Sequence, residues 1–253
     1  PSAVSSPARG SAQKAAQQWK ISLETDWNKC LDVSMGCFME DIILIGGGQH
    51  CGVVMYNVES QRRYHVIGVL DGDAAKKGTI SHGVEILGDY SPAKLDAIQR
   101  QYKTNKFFIA FGAMKYRRNT FRYMINRGWE PVNIIHPNAV ISPHAKIGKG
   151  VLIECGCLIT PNPVIGDNVV VNTGSQVNHD NVIGDHVYIA SGVVLSGGVS
   201  IGENTLLDDG VVVTLGKRVG ENCLIGAGAI VTKDIPSNKV AYGNPCRFIR
   251  DNK

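Results

Sequence analysis

Every sixth residue from Ile135 to Val231 is aliphatic: Ile135, Ile141, Ile147, Ile153, Ile159, Ile165, Val171, Val177, Ile183, Ile189, Leu195, Ile201, Leu207, Val213, Val219, Ile225 and Val231. A period of six fits neither a helix nor a simple strand, and it is the mark of hexapeptide repeats, which predict a parallel β-helix. Each repeat makes one short strand and a turn. Three repeats complete a triangular coil, so residues eighteen apart lie one above the other. A β-sandwich would instead alternate at two, with turn signals every 8 to 12 residues. Two positions before each aliphatic stop the chain often carries a small or β-branched residue, such as Ala139, Ala145, Val151, Cys157, Val169, Val187, Val193 or Val199, able to fill a narrow corner. The residue after the stop is often Gly, as at 148, 166, 184, 202 and 226, where tight corners with unusual backbone angles are expected.

Upstream the pattern changes. Asp41–Ile45 reads as an apolar strand, followed by Gly46-Gly47-Gly48-Gln49-His50-Cys51-Gly52 and a helical stretch through Val58. Strand, glycine turn, helix opens a Rossmann-like βαβ unit, where backbone amides and a helix N-terminus receive phosphate. The spacing of Gly46, Gly48 and Gly52 is one residue longer than the dinucleotide fingerprint, so a plain tight turn is an equal reading. A second strand, Tyr64–Leu70, ends at Asp71, with Asp73 two residues on; these carboxylates are placed to accept from a ligand, or to cap a turn. Pro92 after Ser91 marks a helix start. A third strand, Lys106–Phe111, runs through Gly112 into a helix carrying Lys115, Arg117 and Arg118; basic residues beside a second strand-glycine-helix junction fit a phosphate-bearing ligand, or simply a solvated face. The α/β part spans about 40–132 and is too short for a full dinucleotide fold, so a single nucleotide is the expected cargo. The β-helix and its tail take 133–253. Residues 1–38, dominated by Ser, Ala and Gln, show no period and read as a leader: a tag, a flexible arm or a helical arm for a partner chain.

Composition narrows the classes. A net charge of +4 is too mild to argue for nucleic acid, and compatible with a small anionic ligand. The seven Cys include no CxxC pair and point to reduced, packed thiols in a cytoplasmic protein. No apolar run approaches the ~18 residues of a membrane span.

Candidate chemistry centres on His179. It falls two residues past a stop, at a turn outside the apolar stack, with Asp180 beside it, and a carboxylate can fix an imidazole's tautomer and stabilise its protonated form. One coil on, Gly197 and Gly198 leave room above this pair for a substrate or thioester; one coil back are Pro161 and Asn162. An exposed turn histidine of no consequence fits period and spacing equally well. His186 reads as a surface corner residue.

The run Ile135-His136-Pro137-Asn138-Ala139-Val140-Ile141-Ser142-Pro143, the glycine turn with His50, the Asn178-His179-Asp180 stretch and the closing Gly243-Asn244-Pro245 together resemble bacterial nucleotide-amino-sugar N-acetyltransferases, whose relatives include sialic acid O-acetyltransferases. The resemblance covers about 41–250. It implies a left-handed coil, acetyl-CoA as co-substrate without a metal, and a homotrimer with active sites between subunits. It also implies His179 as base supported by Asp180. His50 would lie near an adjacent subunit's site, and Gly46, Gly47, Gly48, Asp71, Asp73, Gly112 and Arg117 would hold the sugar nucleotide. Acetyl-CoA contacts would fall on Gly198, Gly210, Gly216, Ala227, Gly228, Lys233, Pro245, Arg247 and Arg250, the two arginines suiting phosphates or else capping a terminal helix. Many members carry a second histidine where this chain has Tyr188, a phenol that can still donate toward the acetyl group. The rivals are acetylation of a sialic acid hydroxyl, a β-helical zinc hydratase, for which the seven-residue interval of His179 and His186 is wrong, and a sugar-nucleotide-binding protein without catalysis.

Overall fold

In a computed structural model, residues 39–252 are described; the leader at 1–38 lies outside them. The first part is a six-stranded sheet. Its strands are β1 (Glu40–Ile45), β2 (Tyr64–Leu70), β3 (Ile80–Ser81), β4 (Val84–Gly88), β5 (Lys106–Ile109) and β6 (Glu130–Pro131), in the order β3-β4-β2-β1-β5-β6. All neighbours are parallel except β3, which runs against β4. Three helices connect them: α1 (Gln49–Gln61), α2 (Pro92–Tyr102) and α3 (Met114–Asn126). Pro92 opens α2 with Ser91 as its N-cap, as the sequence predicts. Strands β1, β2 and β5 are apolar nearly throughout because helices cover both faces of a parallel sheet.

The second part is a parallel β-helix of seventeen two-residue strands, from β7 (Ile134–Ile135) to β23 (Ile230–Val231). Every aliphatic stop is the second residue of one of these strands, and strands pair with those eighteen residues away, as Leu152 with Val170 and Ile153 with Val171. The stops point inward and stack into one core, together with Val151, Cys157, Val169, Val187, Val193 and Val199 at its corners.

The corner chemistry departs from expectation by two positions. Left-handed backbone falls three residues after a stop: Gly150, Gly156, Asn162, Asn168, Gly174, Asp180, His186 and onward to Gly228. The glycines directly after stops serve another purpose. A Cβ on Gly148 would sit 2.7 Å from the carbonyl carbon of Gly166, and one on Gly184 2.7 Å from the amide of Glu203. These glycines let successive coils approach each other.

The change from α/β to coil elements falls between Pro131 and Ile134. The two parts share a core, in which Val54, Met55 and Val58 of α1 cluster with Ile134, Leu152 and Val170 on the first coils. The chain closes with an antiparallel hairpin, β24 (Lys239–Tyr242) and β25 (Arg247–Asp251), so Arg247 and Arg250 sit on an exposed strand and cap no terminal helix.

Candidate active site

The order β2-β1-β5 sends the chain to opposite sides of β1, and the crevice at such a switch point is where open α/β sheets bind ligands. The glycine turn, Asp71 and Gly112 all follow the carboxyl ends of these three strands, so the predicted sugar-nucleotide residues of β1, β2 and β5 share one edge. Gly46 has φ +105° and no room for a side chain, since a Cβ would lie 2.6 Å from Phe111 Cδ1. Gly48 is the N-cap of α1 and Ala113 that of α3, and neither helix has a side-chain cap, which leaves first-turn amides available to an anion.

Asp71 caps the turn. Its Oδ2 accepts from the Gly47 amide at 2.8 Å and from Lys76 Nζ at 3.0 Å, and its Oδ1 from the Asp73 amide at 3.0 Å. Burial pushes its carboxyl pKa up, but hydrogen bonds from Asp73, Gly47 and Lys76 outweigh burial and hold it below the usual value. Asp73 in turn accepts from the Ala75 amide at 3.0 Å, starting a 3₁₀ turn. Arg117 corrects the expectation of a phosphate contact: it is 1% exposed, with Nη1 donating to the carbonyls of Ile109 and Phe111, both at 2.9 Å. Burial lowers its pKa to about 10. The side chain ties α3 to the end of β5 and does not face the crevice as a phosphate ligand.

On the β-helix, His179 Nδ1 meets Asp180 Oδ2 at 2.8 Å, and their side chains are 59% and 60% exposed. Asp180 takes the left-handed corner conformation, φ +58°. Its amide donates to Pro161 at 3.2 Å, and its Oδ1 accepts from Asn162 Nδ2 at 3.3 Å, so the coil below aims the carboxylate. Hydrogen bonds from His179 and then Asn162 lower the Asp180 pKa. With Nδ1–H toward Asp180, Nε2 carries the lone pair. Gly197 lies over His179, and the Gly198 amide donates to the His179 carbonyl at 2.9 Å. Above His179 the space is not left open for a substrate: a Cβ on Gly197 would collide with Nε2, so that missing side chain makes room for the imidazole itself, whereas a Cβ on Gly198, over Asp180, would meet only Gly216 Cα at 3.9 Å.

The glycines expected along acetyl-CoA divide between two corners. Gly198 and Gly216 stack in the column of Asp180, whereas Gly210 and Gly228 stack in the column of Gly174 and Gly192. Ala227, Lys233, Pro245 and Arg247 are exposed near the last coil and the hairpin.

A buried group of polar side chains lies where α1 meets the coils. Tyr188 packs on Gly112, its ring centroid is 6.1 Å from that of His50, and its hydroxyl accepts from Asn172 Nδ2 at 3.1 Å. Burial first and Arg117 second lower the His50 pKa to about 4, keeping it neutral. Tyr188 therefore belongs to this junction. His186, read from sequence as a surface corner, is 4% exposed, bonded to Asn168 Nδ2 at 3.0 Å and set edge-on to Phe121 of α3. Among the described residues, no three or more His, Cys, Asp or Glu side chains converge as a metal site, and no helix is long and apolar enough to cross a membrane.

Residues 41–124 match the PglD N-terminal domain and residues 162–197 the bacterial transferase hexapeptide repeats. A sequence comparison with curated proteins gives no match. Among solved structures, the chain is 32% identical to PerB from Caulobacter crescentus, determined with CoA and GDP-perosamine, over 83% of this chain and 97% of that one, with a TM-score of 0.77. The chain belongs to the nucleotide-amino-sugar N-acetyltransferases. The family's left-handed β-helix is the fold of the coils. Further likenesses within it are the acetyltransferase domain of PglB from Neisseria gonorrhoeae in complex with acetyl coenzyme A (27% identity, 83% and 100% coverage, TM-score 0.74) and WeeI from Acinetobacter baumannii (25%, 83% and 100%, 0.64).

For a member of this family, the sequence reading missed a set of polar residues at the junction: Asn57, His136, Glu154 and Asn172, of which the first three are buried. One signal was present. Positions 154, 172, 190 and 208 each follow a stop, where small residues prevail, and Glu154 is a long acid in such a place.

Proposed function

We propose that this chain transfers the acetyl group of acetyl-CoA to the 4-amino group of a nucleotide-linked amino sugar, with His179 as general base. The observation that carries the reading is the 2.8 Å contact of His179 Nδ1 with Asp180 beside the side-chain-free Gly197. The neutral amine nitrogen attacks the thioester carbonyl carbon, the C–S bond breaks, and the thiolate leaves. His179 Nε2 takes a proton from the nitrogen and returns it to the sulfur, while Asp180 stabilises the imidazolium. Gly46, Gly47, Gly48 and the uncapped start of α1 hold the diphosphate, with Asp71, Asp73 and Gly112 shaping the crevice.

The active unit is a homotrimer. The first residues of one sheet's strands form an outward column, Val140, Leu158, Gln176, Val194, Val212 and Ile230, apolar at every position except 176, with Val140 64% exposed. Such a column calls for a partner surface, and a second copy provides it. Placed between chains, the Gly198 and Gly216 column of one β-helix and the Gly210 and Gly228 column of the next both line an acetyl-CoA groove that ends at Lys233, Pro245, Arg247 and Arg250. Acetyl-CoA as donor, and five free cysteines among the described residues, support a cytoplasmic setting.

The test is thiol release from acetyl-CoA with UDP- and GDP-linked 4-amino sugars, their 4-hydroxy counterparts and sialic acid. Release that requires the 4-amino group is expected. Release with sialic acid alone would make the enzyme an O-acetyltransferase, and silence with every acceptor would leave a binding protein.

A further inference from the structure

A cavity of about 510 Å³ opens between α1 and three successive corners of the β-helix, within the size range of small-molecule pockets. Its walls include His50 and Asn57 from α1 and Glu154, Asn172 and Ser191 from the coils. Buried polar atoms normally have partners. Here four wall residues each carry one without any: His50 Nε2, Asn57 Oδ1, Glu154 Oε1 and Asn172 Oδ1. The partnered halves of the same side chains explain why these particular atoms are left over. Asn57 Nδ2 donates to Val53 O at 2.8 Å, Asn172 Nδ2 to the Tyr188 hydroxyl at 3.1 Å, and Glu154 Oε2 accepts from Thr173 N at 3.1 Å and Thr173 Oγ1 at 2.6 Å. With their donors committed, both amides keep an unpartnered acceptor oxygen within the cavity wall, and Glu154 has no hydrogen to offer when ionised. Asn57 and Glu154 are only 1% and 5% exposed, so water in bulk does not serve them.

Three unpartnered acceptor oxygens in one wall, those of Asn57, Glu154 and Asn172, suit a ligand that brings donors. The position says which ligand. The cavity begins at His50, in the first turn of α1, and that helix starts at the uncapped Gly48 where the diphosphate is placed. A group on the far side of a diphosphate held there reaches His50 first.

We propose that this cavity receives the donor-bearing face of the acceptor sugar, and that Glu154 is a specificity-determining residue whose Oε1 accepts an N–H or O–H hydrogen from it. The inference rests on the amino-sugar reading above. Glu154 is also the wall's one carboxylate: burial raises its pKa, and its stacked successor at 172 is an uncharged amide.

The test is Glu154→Gln. The Thr173 amide and hydroxyl both require an oxygen, so the glutamine oxygen stays on that side and its NH2 turns into the cavity, replacing an acceptor by a donor. With GDP-perosamine and a UDP-linked 4-amino sugar as probes, KM for whichever the wild type uses is expected to rise at least tenfold, while KM for acetyl-CoA and the affinity for GDP or UDP alone stay within twofold. A purely structural role for Glu154 would move all three together. Ser191→Phe, at an exposed wall position, fills the cavity without touching Glu154 and is expected to produce the same split even if the glutamine variant fails to fold. A folded Glu154→Gln enzyme with unchanged sugar-nucleotide KM overturns this inference alone. A wild type that acetylates neither sugar overturns the parent reading, and this one with it.

Discussion

The corner at His179 and the junction beneath α1 are both polar sites on the same β-helix, and they are built in opposite ways. At the corner, the relations are those of sequence neighbours, His179 with Asp180, and of register: Asn162, Asp180, Gly198 and Gly216 stack at intervals of eighteen, and the backbone geometry of each repeats that of the last. At the junction, Arg117 reaches back to Ile109, His50 faces Tyr188, and Glu154 lies across a cavity from Asn57. The first arrangement is exposed and depends on a period. The second is buried and brings together segments far apart in sequence, as where His50 of α1 meets Tyr188 of the coils. A repeat places a reactive side chain at an edge with little surrounding protein, whereas selective recognition requires walls, and the α/β part provides them.

This contrast can be broken by substitution. The largest effect is expected at the corner, where His179→Ala should lower turnover at least about a hundredfold with the melting temperature and assembly unchanged, because the exposed ring supports no core. Loss of folding or near-normal turnover would remove His179 from the role of base. Next comes Arg117→Ala at the junction, expected to cost about 2 to 3 kcal/mol of stability by leaving two carbonyls unpaired and a cavity behind, measured by denaturant unfolding. An unchanged midpoint with a selective rise in sugar-nucleotide KM would restore the phosphate-binding role read from its sequence context.

Acid should weaken the junction. The His50 pKa is lowered from 6.5 to about 4, so between those values the unfolded chain takes up a proton that the folded chain refuses. Stability from this group is complete above 6.5 and is lost as pH falls toward 4, a loss of about 2 kcal/mol by pH 5. Urea midpoints measured at pH 7 and pH 5 should show the loss, and His50→Gln should reduce it, leaving the share of the buried His186, whose pKa burial also lowers. The smallest effect, about tenfold on sugar-nucleotide KM, is expected for Gly48→Asp. A Cβ there meets nothing within 4 Å, and aspartate is a good N-cap, so α1 keeps or gains stability while a negative charge occupies the position proposed for the diphosphate.

The same contrast explains what the sequence made legible. All seventeen stops, the coil of eighteen and the stacking of Gly197 over His179 follow from a period that needs no tertiary knowledge. So do β2 and the start of α2, set by an apolar run and by Pro92. What escaped depends on neighbours that the period does not encode. His186 occupies a corner like that of Asp180, yet Phe121 of α3 covers it. Arg117 follows a glycine junction as a phosphate-binding residue would, yet α3 turns it inward onto β5. The glycines after stops read as corner residues, because sequence shows that glycine is required without showing whether φ or crowding requires it. The tail offered two arginines and no period, and only the pairing of β24 with β25 decides that it is a strand.

The central claim is that one chain's junction presents the sugar to another chain's His179. Chains carrying His179→Ala, about a hundredfold down, and chains carrying Gly48→Asp, about tenfold down at low sugar-nucleotide concentration, can be co-assembled in equal amounts and assayed for acetyl transfer. If the site lies between subunits of a trimer, random mixing pairs an intact corner with an intact crevice and should recover about a quarter of wild-type turnover. Verified mixed assemblies with no more activity than either variant alone would contradict the claim.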